Sequence, residues 1–338
     1  MVFEENIEQP VLVTGGCGFI GKRVVKKLLD KDIRVRVLAV PNEEIPADWN
    51  EKVEIVRGFL PDEKTVKEAL NGVRTIIHLA AIVSDWGDED FFWKVTVEGS
   101  RKIFDEALAN DAKVVLASSI VVYGEQIGKI ECDEKTSYGK TFGPYSRTKK
   151  EQEKLALKYH NEKGMKLSIV RPANVYGPGA GTWLHDVIDV LKGKAGGLVS
   201  GGNMNAGLAY VDNVADILIL AGAQENESLR IYIACDCSEI TWKKYFTDIA
   251  EIIGEKQPKA VPYFAAYLGA IISEKIWKLF KIKKRPPITL EALNLIGSDN
   301  RFSIDNVKRD LGYVPRVSYS EGLSRTIDYL KEKGIVKI

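Results

Sequence analysis

The chain is predicted to fold as a doubly wound, mostly parallel α/β sheet with a smaller, partly interleaved C-terminal lobe. Three observations predict it. Pro10 to Val13 is a short apolar run, followed at once by Thr14-Gly15-Gly16-Cys17-Gly18-Phe19-Ile20-Gly21 and a helical stretch from Lys22 to Leu29. Apolar strand-like runs and helix-periodic segments then alternate as far as Val170, which implies parallel strands joined by right-handed crossovers. Thr75 to Ala81 is almost wholly apolar, as in a strand covered on both faces.

The opening unit sets the expectations for function. Gly15 would permit a tight turn, Gly18 would let backbone approach a pyrophosphate, and Gly21 would let the helix pack close to the strand. The helix N-terminus presents unpaired N–H groups and the positive end of a dipole. No Gly-Lys-Ser/Thr follows, which excludes a nucleoside-triphosphate loop. A structural turn is the plainer reading of any glycine cluster, but strand, turn and helix in this order favour a dinucleotide.

Ile33 to Val40 is the second strand, and its end carries Ala39-Val40-Pro41-Asn42 where an acidic ribose reader would stand. Glu43 and Glu44 follow and could substitute, so NAD and NADP both stay open as cofactor. Val53 to Val56 is a third strand and Asp62 to Leu70 a helix. Thr75 to Ala81 is the fourth strand, in which His78 reads as a satisfied core residue. The loop Ile82 to Asp90, with Ser84 and Trp86, lies outside a strand's carboxyl end, where ligands of open α/β sheets bind. A helix from Phe91 to Ala109, a strand from Lys113 to Ala117 and a polar loop to Gly143 follow. The next helix opens at Pro144, which suits a first turn, and runs to Glu162; Leu167 to Val170 is the sixth strand.

Beyond the Gly/Pro-rich loop Arg171 to Gly181 the pattern loosens. Trp183 to Leu191 reads as helix and Leu198 to Tyr210 as irregular chain. Val211 to Ala223 reads as a helix capped by Asp212, Leu229 to Ala234 as a strand and Thr241 to Ile253 as a helix. Residues 1–173 are expected to form mainly the dinucleotide-binding domain and 174–338 mainly a substrate lobe, with about 206–235 returning to the first. In segment 261–285, Phe264, Leu268, Ile271, Ile272, Ile276, Leu279 and Phe280 fall at helical spacing ahead of Lys281-Ile282-Lys283-Lys284-Arg285. A helix packed on the lobe with a solvated basic tail is the plainer reading. A lid over an apolar substrate, or peripheral contact with a membrane surface, is the alternative. Ser303 to Leu311 and Ser320 to Lys331 close the chain as helices.

Composition narrows the classes. With 338 residues, 45% hydrophobic and 28% charged, the chain can bury a large core, and a formal charge of +1 gives no drive toward nucleic acid. Val2-Phe3-Glu4-Glu5 is acidic where a cleavable leader would be basic, and no apolar run reaches membrane-spanning length. Cys17, Cys132, Cys235 and Cys237 match neither a zinc spacing nor a disulfide framework, so a reducing, cytoplasmic setting and no metal are expected.

Ser119, Tyr145 and Lys149 are the candidate catalytic residues. Ser119 ends the fifth strand, and Tyr145 and Lys149 lie four apart on one helix face. A phenol ionises near pH 10 and becomes a useful base only if its phenolate is stabilised, which an adjacent ammonium can do. A Tyr-x-x-x-Lys pair alone is commonplace; the order of glycine turn, strand-end serine and helix-opening pair is not.

With these residues the sequence resembles the extended short-chain dehydrogenase/reductase family, which includes NAD-dependent epimerases and dehydratases. Thr14 to Gly21 looks like its glycine motif, and His78-Leu79-Ala80-Ala81 like its strand-four motif. Ser119 with Val122-Tyr123-Gly124 is similar to the active-serine segment, Tyr145 and Lys149 to the catalytic pair, and Arg171-Pro172-Ala173-Asn174-Val175-Tyr176-Gly177-Pro178-Gly179 to the segment lining nicotinamide and substrate. Ala209 to Asp216 and Arg309 to Pro315 complete the pattern.

The resemblance implies a Rossmann-type fold. It also implies that Gly15, Gly18, Phe19, Ile20, Gly21, Leu79, Ala80, Ala81, Tyr145, Lys149, Pro172, Asn174 and Val175 contact NAD or NADP. Ser84, Trp86, Ser119, Tyr145, Asn174 and Trp183 would face a small-molecule substrate, and a homodimer would be compatible with the family.

The departures are informative. Sugar-nucleotide dehydratases of the family place Asp-Glu after the active hydroxyl residue, where this chain has Ile120-Val121. Many sugar-nucleotide enzymes carry Arg-Asp-Phe where this chain has Ala206-Gly207-Leu208, which removes a diphosphate partner. Phe59 replaces an adenine-contacting aspartate. The C-terminal pattern through Arg285-Pro286-Pro287-Ile288-Thr289 looks more like the hydroxysteroid, sterol dehydrogenase and dihydroflavonol-reductase branch. Exchange of a secondary alcohol and a ketone on a bulky apolar molecule is therefore expected, with sugar-nucleotide epimerisation by the same residues as the alternative.

Overall fold

The computed structural model describes residues 6–49, 51–193, 197–224 and 228–336; Val2 to Glu5, on which the leader expectation rests, lie outside them. Strand and helix alternate through β1 (Val11–Thr14), α1 (Phe19–Leu29), β2 (Val35–Ala39), β3 (Val53–Arg57), α2 (Glu63–Leu70), β4 (Thr75–His78), α3 (Glu89–Phe92), α4 (Gly99–Ala109), β5 (Lys113–Ala117), α5 (Pro144–Lys163) and β6 (Leu167–Pro172). Shorter elements follow in β7 (Asn174–Tyr176), α6 (Asp186–Gly193), β8 (Gly197–Val199), β9 (Leu208–Tyr210), α7 (Val211–Ala223) and β10 (Arg230–Ala234). The chain ends through α8 (Trp242–Ile252), β11 (Lys259–Val261), α9 (Tyr263–Leu279), α10 (Leu290–Ile296), α11 (Asp305–Leu311) and α12 (Tyr319–Glu332).

Seven strands pair in the order β10-β6-β5-β4-β1-β2-β3, all parallel. The predicted doubly wound, Rossmann-type sheet is thus the observed one. Successive side chains of a strand point to opposite faces, so each strand feeds two cores. Val11, Val13, Val37, Ile77 and Val115 pack with α1 and α7 on one face. Leu12, Leu38, Ile76, Val114 and Leu116 pack with α2, α4 and α5 on the other. The strand order reverses between β1 and β4, which opens the crevice at their carboxyl ends where ligands of such sheets bind.

Several local expectations are corrected. Asp212 does not cap α7: β9 runs straight into the helix, Tyr210 takes the cap position, and Asp212 in the first turn meets Arg325 at 3.0 Å. Asn174 to Tyr176 is not loop but β7, paired with β9, and the chain expected to be irregular at 198–210 holds both β8 and β9. These strands are three residues each, too short for a periodicity to show. The helix expected from Phe91 begins at Glu89, and a π-helical turn at Trp93–Glu98 separates α3 from α4.

One buried ion pair ties the sheet to the helix that carries Tyr145. Arg171 on β6 pairs with Glu153 on α5, both almost fully buried, and also donates to Tyr123 Oη at 2.8 Å and to the Glu134 carbonyl at 3.2 Å. Its guanidinium lies 5.0 Å from the Tyr123 ring centre. Tyr138, expected to be only loop, closes the network by donating to Glu153 at 2.9 Å. Removing one partner strands a buried charge. Arg171→Met is therefore expected to cost about 3–5 kcal/mol of stability, read as a lowered urea midpoint. An unchanged midpoint would contradict this account of the pair.

Candidate active site

The glycine turn packs as its spacing suggests. Gly15 sits at φ +66, and a Cβ on Gly21 would fall 2.2 Å from the Gly15 carbonyl oxygen and 2.6 Å from that of Gly16, so α1 rests directly on the turn. Gly18 is exposed at the N-cap of α1, where no side chain caps the helix. A cleft of about 360 Å³ opens over this N-terminus, lined by Gly18, Phe19, Lys22, Arg23, Pro178 and Gly179. Uncapped N–H groups, a dipole end and a lysine suit a pyrophosphate, so the residues present fit NAD or NADP. β4 ends at His78. The following Leu79 N–H donates to the Thr14 carbonyl and the Ala80 N–H to Thr14 Oγ1, both at 3.2 Å, which seats Leu79, Ala80 and Ala81 beside the turn.

The end of β2, expected to face adenosine, carries local contacts of its own. Glu43 is turned inward, accepting the Val40 N–H at 3.1 Å, and Arg57 donates to the carbonyls of Pro41 and Glu43 at 2.9 and 3.1 Å. Ala39 is buried, and Phe59 is 60% exposed.

Ser119 ends the extension of β5, and its hydroxyl accepts the Val121 N–H at 3.3 Å. Tyr145 lies in the first turn of α5, near Ser119. Burial pushes the Tyr145 phenol up to about 12, with Ser119 pulling it down and Glu291 pushing it further up. Lys149, one turn on and almost fully buried, donates to the Ala117 carbonyl at 2.7 Å and to Gln152 Oε1 at 3.0 Å. Burial pulls it down to about 7, against the nearby charge of Glu153. His78 is a core residue as expected, bonded to Thr14 and Ser100, and burial pulls it down to about 3.

The substrate-side residues are distributed unevenly. Ile20, Leu79, Tyr145, Val175 and Trp183 all border one core cluster. Asn174 spends its amide on the Ala206 carbonyl at 2.6 Å, and β6 ends at Pro172 beside it. Ser84 closes a turn onto the Trp86 carbonyl at 2.9 Å, and the Trp86 indole donates to the Ile282 carbonyl at 3.2 Å, on the chain leaving α9. Trp183 stacks on Trp242 with ring centres 4.7 Å apart.

Sequence reasoning missed three groups here. Gln152 shares the α5 face with Lys149 at a spacing of three, a signal that was present. Glu291 accepts the Ser146 N–H at 3.1 Å, and burial pushes it up to about 8. Arg285 and Thr289 both clasp Asp85 in the loop after β4. The last two are brought in from far along the chain, and no spacing announces them.

The family model described as the NAD dependent epimerase/dehydratase family matches residues 11–235, and the chain belongs to that family. It is an enzyme of the extended short-chain dehydrogenase/reductase type. It is 28% identical over 95% of its length to a 4-hydroxy-2-methyl-3-oxo-4-farnesyl-3,4-dihydroquinoline-1-oxide ketoreductase of Stigmatella aurantiaca, covering 96% of that protein. It is 27% identical over 94% of its length to a 3-beta-hydroxysteroid dehydrogenase of Mycolicibacterium neoaurum, covering 90% of it. Among solved structures, it aligns with the UDP-glucose 4-epimerase of Thermus thermophilus, a complex with NAD, at a TM-score of 0.71 and 23% identity, covering 95% of this chain and 98% of that one.

The depressed Lys149 has a consequence for stability. Its folded value of about 7 lies below the ordinary 10.5, so between these pH values the unfolded chain binds the extra proton and stability rises with pH. Lys149→Met is expected to stabilise the protein without added dinucleotide by a few kcal/mol, to order of magnitude, at and below neutral pH. The gain should vanish above pH 10.5. Guanidinium midpoints on either side of that window check it; a gain that grows with pH would contradict it.

Proposed function

We propose that this enzyme interconverts a secondary alcohol and a ketone on a bulky, largely apolar small molecule, with NAD or NADP as the hydride carrier. The observation that carries the reading is the Ser119–Tyr145–Lys149 group beside the glycine turn, in a site whose neighbouring positions lack sugar-nucleotide chemistry. Ile120 and Val121 are buried hydrocarbon, and buried Ala206 stands where the resemblance would put a diphosphate-binding arginine. The names of the ketoreductase and hydroxysteroid dehydrogenase relatives support the same substrate class.

A bound NAD(P) supplies the hydride acceptor, or the donor in the reverse direction. Ser119 holds the reacting oxygen by a hydrogen bond. Tyr145 takes the hydroxyl proton as the carbinol carbon loses hydride, and returns a proton to the oxygen during reduction. Lys149 lowers the cost of the phenolate, an electrostatic role that burial strengthens. Residues 1–173 would mainly hold the dinucleotide and 174–338 the substrate; within about 206–235, β10 joins the seven-stranded sheet and α7 packs on it, whereas β9 pairs with β7 outside it.

A second observation favours an approach from a lipid surface. α9 buries only Ala266 and Ala270, while Phe264 and Phe280 are each 70% exposed and Leu279 76%. Its 17 residues span about 25 Å, and no helix among the described residues is long and apolar enough to cross a membrane. Lys275 and Lys278 near its end, and Lys281, Lys283 and Lys284 just beyond it, are all exposed. Glu274, the one carboxylate of the helix, is turned inward to the Leu290 N–H at 2.7 Å. An exposed apolar face with cations clustered at one end suits the surface of an anionic bilayer. The Trp86–Ile282 bond and the Asp85–Arg285 pair place that face next to the loop after β4, so an apolar substrate would pass from lipid to site.

The assay is incubation with NAD or NADP and panels of hydroxysteroids, other apolar alcohols and sugar nucleotides. Net reduced dinucleotide with an apolar alcohol is expected; an isomerised sugar without net reduction would instead establish the epimerase reading. Tyr145→Phe should lower turnover about 100- to 10,000-fold while leaving dinucleotide affinity intact. Near-parental turnover in that variant would remove Tyr145 from acid–base chemistry. Replacing Lys281, Lys283 and Lys284 together with alanine should weaken binding to phosphatidylserine vesicles by about 1 kcal/mol per lysine, over a hundredfold in all. Unchanged vesicle binding would sink the lipid-surface reading.

A further inference from the structure

Lys149 stands at the end of a run of buried hydrogen bonds that begins at the glycine turn. The Ala80 N–H donates to Thr14 Oγ1, and Thr14 Oγ1 meets His78 Nδ1 at 2.7 Å. His78 Nε2 meets Ser100 Oγ at 2.8 Å, Gln152 Nε2 donates to the same oxygen at 2.7 Å, and Lys149 Nζ donates to Gln152 Oε1 at 3.0 Å. Thr14, His78, Ser100, Gln152 and Lys149 are all buried.

The proton positions in this run follow from one group. Ser100 has a single proton and gives it to the Thr96 carbonyl, which can only accept. Its oxygen must therefore accept from both His78 and Gln152. His78 is thereby fixed as the Nε2–H tautomer, and its Nδ1 takes the Thr14 proton. The Gln152 amide is likewise fixed, nitrogen toward Ser100 and oxygen toward Lys149. A flipped amide would set two donors against the ammonium.

The charged groups around Nζ are few. Glu153 lies on the same helix, but its carboxylate is held by Arg171. His78, across the β4 side, is neutral, and Tyr145 lies one turn back. Among the described residues, the groups hydrogen-bonded to Nζ are the Ala117 carbonyl and the Gln152 amide, both uncharged.

We propose that Gln152 is a positioning residue whose amide oxygen holds the Lys149 ammonium on a neutral acceptor, leaving its positive charge to act on the Tyr145 phenolate. A carboxylate of the same length would also hold the ammonium, but would cancel the field that Tyr145 needs. The chain from Ala80 through Ser100 makes the amide a rigid support, so the orientation of Nζ is set from the dinucleotide side of the site. This inference rests on the acid–base role proposed for Tyr145.

The test separates the two. Protein labelled with carbon-13 at the lysine ε-carbon is titrated by NMR without substrate, and the Lys149 signal is assigned by its loss in Lys149→Met. Gln152→Glu should raise the Lys149 midpoint by more than about one pH unit, and Gln152→Leu, which removes the acceptor, should lower it. With an alcohol substrate, Gln152→Glu should move the rise of kcat with pH to higher pH and lower kcat at neutral pH about tenfold, with KM nearly unchanged. Midpoints unmoved in both variants would overturn the proposal whatever the enzyme turns over. Moved midpoints with an unmoved pH profile would overturn it too. An absence of turnover in the parent protein would count against the Tyr145 reading alone, with the placement of Lys149 still decided by the midpoints.

Discussion

Among the described residues, the Lys149 ammonium is buried without a carboxylate in contact, and much of the structure is arranged around that constraint. A buried charge is costly unless hydrogen-bonded or paired. Here hydrogen bonds to Ala117 and Gln152 hold it, and the nearest carboxylate is claimed by Arg171. The same two elements, β5 and α5, bring Ser119 and Tyr145 together. The fully parallel sheet sets the strand ends that carry these groups beside the β1 turn. Disturbing the Arg171–Glu153 pair would thus act on stability and on the charge balance of the site at once.

This arrangement is unfavourable for folding and useful for chemistry. Burial alone pushes the Tyr145 phenol up and pulls the Lys149 ammonium down, so each disfavours its charged form. Under the proposed acid–base role, the ammonium would support the phenolate, and the site would be preorganised for an anion on the phenol. Glu291 adds to the strain from the other side, since it too is buried at the start of α5 and raises Tyr145 further.

The legible parts of the sequence were those written in local pattern. The glycine turn, the apolar strands and the Tyr145–Lys149 spacing all express short-range geometry, and the sheet and helices lie where those patterns put them within a few residues. His78 was read correctly as core because a nearly all-apolar strand has no solvent face. The illegible parts are long-range. β7, β8, β9 and β11 are three-residue strands made by pairing with distant partners, so no periodicity marks them. Asp85 reaches Arg285 across two hundred residues of chain, and Glu291 reaches Ser146 across 145. Gln152 is the exception, since its spacing from Lys149 was visible and its role needed the orientation of Ser100.

The contrast extends to substrate. In the proposed site, dinucleotide binding would depend on one compact turn, whereas the substrate side would be assembled from the loop after β4, the β6–β7 junction and the chain around α9 and α10. In the proposed reaction, hydride leaves an apolar secondary alcohol for a dinucleotide that is then released. The most direct measurement uses such an alcohol, deuterated at its carbinol carbon, with free NAD or NADP, and follows the label by mass spectrometry. Deuterium is expected on released, reduced dinucleotide, in equal amount to the ketone formed. Deuterium that stays within an isomerised substrate, with no reduced dinucleotide released, would contradict it.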